Sequence, residues 1–425
     1  ESDAPRASAE DRLREAMAGA EGSGDAADQT LEGRDPRFDV LRDAVASDYF
    51  AARRLEHRGY LWLFLIGTLM LIRMLIDPML VRRPLLEPNL TSGGLTFMGV
   101  SMLVFMLANL LTVRPVRHDL YFAPELTETR LWPEAEAAAP ILPDGPGYRL
   151  LSRAPILPTL VDTTRAPLGT QRDEVSTSAT ILARLTVTVS LLAIVIGMLL
   201  IGTLHFENFR MGVGIATLFL MLPYTVQMTG RVNHVLPAAL LIWALVTYRL
   251  PLLSGVLIGG ACGLVYYPLF LLPLWSSFYR ERGLVRFWIG CGTSLAILAL
   301  MLWVTGSEGF DPIRGLREMF GLRLPRHSGL EGIWALGWEP VFRLPIIAGS
   351  VAIAGALALW PSRKNLGTLM SGSCAVMIGV QFWQGHGGGL SMAWFLPLAL
   401  LAIFRPNLEE KTAAGGLRAR SGRSG

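Results

Sequence analysis

Charge, lysine and cysteine are all scarce in this chain. Of its 425 residues only 17% are charged, against about 25% in a typical soluble domain. The few charges cannot keep a globular surface of this length in water. Lys364 and Lys411 are the only lysines, so almost every cation is arginine. The net charge is +4, but the cations sit scattered at the ends of apolar runs. A nucleic-acid binder concentrates them on one face, so nucleic acid is not an expected partner. Cys262, Cys291 and Cys374 each lie inside an apolar run without CxxC spacing. They read as small buried hydrophobes rather than bridges or metal ligands. No GxxxxGK[ST] or HExxH motif occurs. P-loop hydrolysis, zinc proteolysis and a Rossmann nucleotide-sugar site therefore lack support, and neither a metal nor a cofactor is expected.

What the chain has in abundance is apolar residues, 52% of the total. A membrane span needs about 20 of them in succession. Clear runs are Tyr60–Leu80, Leu95–Val113, Thr180–Leu204, Met211–Thr229, Leu284–Thr305, Leu344–Trp360 and Leu366–Trp383, with a shorter Leu390–Phe404. Val235–Tyr248 and Leu252–Phe278 are harder to parse, and Pro268 and Pro273 allow the latter to be two short helices. The expected fold is all-α, a polytopic membrane bundle of about ten spans. The localisation that follows is integral membrane, multi-pass; a resemblance carried by residues 211–283 implies a bacterial inner membrane.

The organisation expected is as follows. Residues 1–35 are a disordered tail, poor in large apolar groups. Residues 36–59 form an amphipathic juxtamembrane helix, and 60–113 hold the first two spans. The proline-rich stretch 114–179 is a polar extramembrane segment. Residues 180–405 are the main bundle with an outer loop at 306–343, and 406–425 a flexible tail. Arginine-rich turns mark the cytoplasmic side. These are Arg280 to Arg286, Arg363-Lys364, the tail from Arg405, and Arg53, Arg54 and Arg58. That scheme places loops 81–94, 306–343 and 384–389 outside, with Arg82-Arg83 as its one discordant feature. The side of Gly230–His234 stays open.

Three places carry candidate chemistry. Asp77 is the only carboxylate in any of these runs. An acid there is costly and is a functional candidate by default. Arg73, four residues earlier on the same helical face, offers the competing reading of a structural ion pair. Pro78 predicts a helix break that presents Asp77 at the outer surface. In the loop 306–343, Asp311-Pro312 reads as a helix start. Ile313, Leu316, Phe320 and Leu324 follow as an apolar stripe, with Arg314 and Arg317 mostly off it. This reads as an interfacial helix that anchors the loop or walls an anionic headgroup site. Glu339 closes the same loop. Gln384-Gly385-His386 and three following glycines form either a plain connection or a backbone approach to ligand, with His386 as acid, base or phosphate donor. Glu207, beside His205, is a weaker candidate.

Residues 211–283 also carry a resemblance. Leu222-Pro223-Tyr224 is followed by Thr229-Gly230-Arg231-Val232-Asn233-His234. Then come Ser254-Gly255 with Gly259-Gly260, Tyr266-Tyr267-Pro268-Leu269, and Leu272-Pro273-Leu274 before an arginine turn. Trp394-Phe395-Leu396-Pro397-Leu398 extends the pattern. This order resembles the family-87 integral-membrane glycosyltransferases of GT-C fold, which use polyprenyl-phosphate sugars. Arg231 stands at the family's glutamine position and Val265 at its lysine position, whereas Asn233, Tyr267 and Pro268 are kept. The resemblance implies transfer of a mannose-like hexose from a polyprenyl-phosphate donor to a lipid or glycan acceptor at the outer face. Asp77 would be the base, and Arg231, Asn233, His234, Tyr267, His386, Arg314 and Arg317 would hold substrate or phosphate. Arg73, Glu207 and Glu339 would be secondary candidates. Membrane lipid is the other expected partner. Two alternatives stay open: an inactive GT-C-like scaffold or lipid-binding subunit, and a transporter, against which the absence of an internal repeat argues.

Overall fold

The computed structural model describes residues 36–80, 91–112, 177–228, 230–304, 313, 316–317, 320, 332–336, 338–385, 390–408 and 410–413. The regular elements among them are helical. In chain order they are α1 (Pro36–Ile76), α2 (Ser92–Thr112), α3 (Thr177–Leu200), α4 (Phe209–Met221), α5 (Pro223–Met228) and α6 (Val232–Val246). Then follow α7 (Pro251–Leu264), α8 (Leu272–Phe278), α9 (Leu284–Val304), α10 (Arg343–Leu359), α11 (Leu366–Trp383) and α12 (Leu396–Phe404).

Five helical stretches are long and apolar enough to cross a membrane: Ala51–Met79, Gly93–Thr112, Ile181–His205, Leu284–Met301 and Leu366–Trp383. Five more apolar helices have 10–17 residues, namely Phe209–Met221, Val232–Val246, Pro251–Leu264, Arg343–Leu359 and Met392–Phe404. The apolar runs are thus helical, but only half reach span length. A helix of 14 residues rises about 21 Å, against a hydrocarbon core of about 30 Å. Proline accounts for several of the interruptions, because the residue before it favours extended backbone. Leu222 before Pro223 (ψ 132°) and Trp360 before Pro361 (ψ 139°) both leave the helical region. Leu252–Phe278 is two pieces: α7 ends where Val265 turns extended, and a 3-10 turn over Tyr267–Leu271 leads into α8. The juxtamembrane segment and the first span are one continuous helix, α1.

Leu61, Trp62, Leu65, Ile66, Leu69 and Ile72 of α1 are exposed, as are Trp288, Ile289, Ile297 and Leu300 of α9. A water-soluble monomer rarely exposes apolar area on this scale, so these faces fit lipid. The most apolar window of α11 is 94% buried, against 6% for α1. α11 is therefore the hub and α1 lies on its flank. The tightest seam joins α7 to α9. A Cβ on Gly255 would meet the Phe287 carbonyl, and one on Gly290 would meet that of Leu252. At Gly259 the added carbon would lie 2.6 Å from the Cys291 carbonyl. Small residues at this spacing let membrane helices touch backbone to backbone.

Helix polarity fixes which loops share an end. Phe382, near the end of α11, packs on Phe64 and Gly67 of α1. Gly367, at its start, lies against Arg405, which binds Asp77. α1 and α11 therefore run antiparallel. Asp77 shares its end with Arg405 and Lys364, and Arg53, Arg54 and Arg58 lie towards the other. The sequence had grouped Arg53 to Arg58 with Arg363, Lys364 and Arg405, and had put the connection after Asp77 on the opposite side. α1 runs between those two groups, so they cannot share an end. Arg82 and Arg83, discordant in that scheme, follow Asp77 in sequence but lie outside the described residues. The start of α6, with Gly230–His234, belongs to the end opposite Asp77, where the Trp394 indole donates to the Asn233 carbonyl at 3.0 Å.

Candidate functional site

At the Asp77 end, α1 breaks into a 3-10 turn over Asp77–Met79, helped by Pro78. The carboxyl group is fully buried rather than presented at an open lip. Arg73 Nη1 donates to Oδ1 at 2.9 Å, and Arg405 donates to Oδ2 from Nη2 at 2.7 Å and Nε at 3.2 Å. Arg405 is itself 3% exposed. Only the missing side chain of Gly367 makes room for its guanidinium, since a Cβ there would strike it. In this arrangement both carboxylate oxygens already accept charged donors, and no surface remains for an acceptor hydroxyl to approach. The geometry is that of an ionic clip joining the first helix to the last.

The clip continues into the tail. The Leu366 N–H donates to the Lys411 carbonyl at 2.7 Å, and Lys411 Nζ binds Glu207 at 2.7 Å. Glu207 is exposed with φ 56°. The hydrogen bond and charge of Lys411 hold its carboxyl below the usual carboxylate range. A depressed carboxyl pKa stabilises the fold above the unfolded value and stops doing so as pH falls through the folded one. Residues 405–408 and 410–413 are therefore expected to show weaker amide protection, relative to the intrinsic exchange rate at each pH, at about pH 3 than at pH 7. Equal protection at both values would show that this pair holds nothing. Lys364 Nζ donates to the carbonyls of Ala358 and Pro361, and burial pushes its pKa down.

The opposite end gathers more of the predicted residues. Tyr224 on α5 donates to the Leu390 carbonyl at 2.8 Å and accepts from the Ala393 N–H at 2.9 Å. His234 Nδ1 lies 3.2 Å from the same oxygen. With its one proton on Leu390, Tyr224 can only accept there, which assigns the His234 proton to Nδ1. Tyr267 packs its ring against Trp383 and Trp394, both at 5.3 Å, and against Tyr266 at 4.1 Å. Arg343, 7% exposed, donates from Nε and Nη2 to the Trp383 carbonyl, and its guanidinium lies 5.9 Å from the Trp334 ring. The result is a largely buried, aromatic-walled, polar cluster drawn from seven helical elements. Tyr224→Phe is expected to cost about 1–3 kcal/mol, because it orphans the N–H of buried Ala393 and the carbonyl of half-buried Leu390. A melting curve in detergent unchanged from the parent protein would show that Tyr224 does not hold the 390–393 turn.

The predicted site residues therefore divide. His234, through Tyr224, and Tyr267, through Trp394, meet at the 390–394 turn, which Asn233 reaches by its backbone carbonyl, and half-buried Arg231 precedes them at the start of α6. Asp77 and Arg73 lie at the other end of the bundle. Glu207 is there too, with Lys411. Arg317 and Glu339 are exposed. Arg314 and His386 lie outside the described residues. Sequence reasoning missed Arg405 as the partner of Asp77, since 328 residues separate them. Arg343 and Trp383 were not among its candidates. The one available signal was Arg343 directly abutting the apolar run that begins at Leu344.

The described residues contain no group of three or more His, Cys, Asp or Glu able to hold a metal. No family model, curated protein or solved structure gives a significant match to the chain.

Proposed function

We propose that the protein binds a polyprenyl-phosphate-linked sugar in the membrane and transfers its hexose to a lipid or glycan acceptor. The working end is the one that holds Tyr267. The observation that carries this is the convergence of His234 and Tyr267, which the resemblance singles out, on one largely buried aromatic cluster that Asn233 meets through its backbone carbonyl and that has Arg343 in its wall. An arginine in such a wall suits a lipid phosphate, and its field would stabilise that phosphate as it departs. Arg280, Arg282, Arg286, Arg363, Lys364 and Arg405 at the Asp77 end outnumber Arg53, Arg54 and Arg58 towards the other, so the positive-inside rule directs the Asp77 end to the cytoplasm. The Tyr267 end then faces outward.

The sealed state of Asp77 favours a second reading, in which the scaffold binds the lipid and catalyses nothing. The test is transfer of labelled hexose from a polyprenyl-phosphate donor by purified protein in proteoliposomes. The first reading expects turnover that falls at least about a hundredfold in Tyr267→Ala, the scale of loss when a substrate-positioning contact goes. Donor binding without turnover supports the second. Neither binding nor turnover refutes both.

A further inference from the structure

Two exposed patches adjoin at the Asp77 end of the bundle, one cationic and one apolar. α6 leads into α7 through the turn 247–250, and α8 leads into α9 through the turn 279–283. The Tyr279 hydroxyl donates to the Tyr248 carbonyl at 2.6 Å, and Gly283 packs against Pro251, so the two turns lie side by side. Together with the first turn of α9 they carry Arg249, Arg280, Arg282 and Arg286, all exposed, against the single carboxylate of Glu281. Among the described residues none of these four arginines pairs with a carboxylate. Arg249 is held in place, because its Nε donates to the Tyr248 hydroxyl at 3.2 Å. That contact leaves both Nη groups to donate elsewhere.

The apolar patch begins just inboard. α7 and α9 run parallel, since Gly255, Gly259 and Gly263 meet Phe287, Cys291 and Leu298 in the same order. Arg286, Gly290, Thr293 and Ile297 follow i, i+4, i+7, i+11 spacing and share one face of α9. Leu252 and Val256 likewise share one face of α7. The two faces meet at Gly290, where an added Cβ would strike the Leu252 carbonyl and lie 3.0 Å from the Val256 nitrogen. The result is a groove with a glycine floor. Leu252, Val256, Thr293 and Ile297 on its rims are exposed. Arg286 stands one turn, about 6 Å, outboard of that floor, and Arg249 precedes Leu252 by three residues.

We infer that this groove binds one anionic phospholipid of the surrounding bilayer, with an acyl chain along Leu252, Val256 and Ile297 and the phosphate at Arg249 and Arg286. Charge selects the occupant. Four arginines against one glutamate leave a net positive mouth, and guanidinium N–H groups match phosphate oxygens in pairs. A zwitterionic headgroup brings a cation of its own to that mouth. An apolar helix of a second copy would leave the arginines uncompensated. A headgroup of net negative charge answers both the mouth and the groove. The inference rests on the fold alone and holds whether or not hexose is transferred.

The test is native mass spectrometry of the full chain, released from nanodiscs that hold phosphatidylglycerol and phosphatidylcholine of the same acyl chains in equal amounts. One phosphatidylglycerol is expected to be retained about 25-fold over phosphatidylcholine, from two arginines worth about fivefold each near a membrane surface. Arg249→Gln and Arg286→Gln are each expected to lower that preference about fivefold, and together to abolish it. Thr293→Trp fills the groove with every charge in place and is expected to lower retention of both lipids. Arg363→Gln, exposed at the same end but outside the groove, is expected to change nothing. All four positions are exposed, so melting temperatures should match the parent. Should Arg249→Gln melt early, Arg286→Gln decides. No preference in the parent protein overturns the inference. So does a loss in Arg363→Gln as large as in Arg286→Gln, which would mean a diffuse field without a site. Unchanged retention in Thr293→Trp, a lipid-free dimer, or displacement of phosphatidylglycerol by an equal amount of polyprenyl phosphate would overturn it as well.

Discussion

Arg405→Met is expected to destabilise the bundle by about 3–5 kcal/mol, because it strands a buried carboxylate. Asp77 is fully buried and Arg405 supplies two of its charged hydrogen bonds. Arg73 cannot replace them. Its side chain is 26% exposed and reaches only the other oxygen. The cost should come from the charge left behind rather than from the pair itself, since desolvation offsets most of what an ion pair gains in the interior. The double variant Asp77→Leu, Arg405→Met is therefore expected to recover most of the loss. Arg73 remains long enough to turn its guanidinium to water. Thermal denaturation of the three proteins in one detergent checks the cycle. A double variant no better than Arg405→Met alone would mean that the clip contributes stability beyond charge compensation.

The second large effect is expected at the α7–α9 seam. Gly255→Leu is expected to cost about 3 kcal/mol, the upper end of overpacking in a close-packed core. There is no flexible side chain to move aside, since the obstacle is the backbone carbonyl of Phe287. Gly290→Leu meets the Leu252 carbonyl and should behave alike. Gly292 has nothing within 4 Å of an added carbon and serves as the control on the same helix. Gly292→Leu should melt with the parent protein. If Gly255→Leu did too, the helices would not be in backbone contact.

The membrane class was readable from composition because bilayer thickness constrains any run of apolar residues. Span number was less so. Pro223, Pro251 and Pro361 shorten helices, and a run of apolar residues looks the same on either side of such a break. Which loops share an end was misread for α1 alone, whose arginines near 53–58 look like those of Arg363 and Lys364. Only the antiparallel packing of Phe64 on Phe382 tells them apart. Asp77 was visible as an anomaly, and so was its Arg73 neighbour. Its decisive partner was not, because no local pattern links Asp77 to Arg405. Asn233, His234 and Tyr267 could be named from the resemblance. Gln384 was singled out with the glycines that follow it, whereas Gln381 sits inside an apolar helix, where a glutamine carries no signal until its burial is known.

The central claim is that Asp77 holds the fold together and that the proposed transfer takes place at the other end. Its most direct test is hexose transfer from a polyprenyl-phosphate donor by Asp77→Leu, Arg405→Met, normalised to folded protein in proteoliposomes. Transfer within about threefold of the parent is expected, since the change touches no group at the working end, whereas losing a catalytic base costs about 10²–10⁴. A hundredfold loss in well-folded protein would return Asp77 to the reaction and contradict the account.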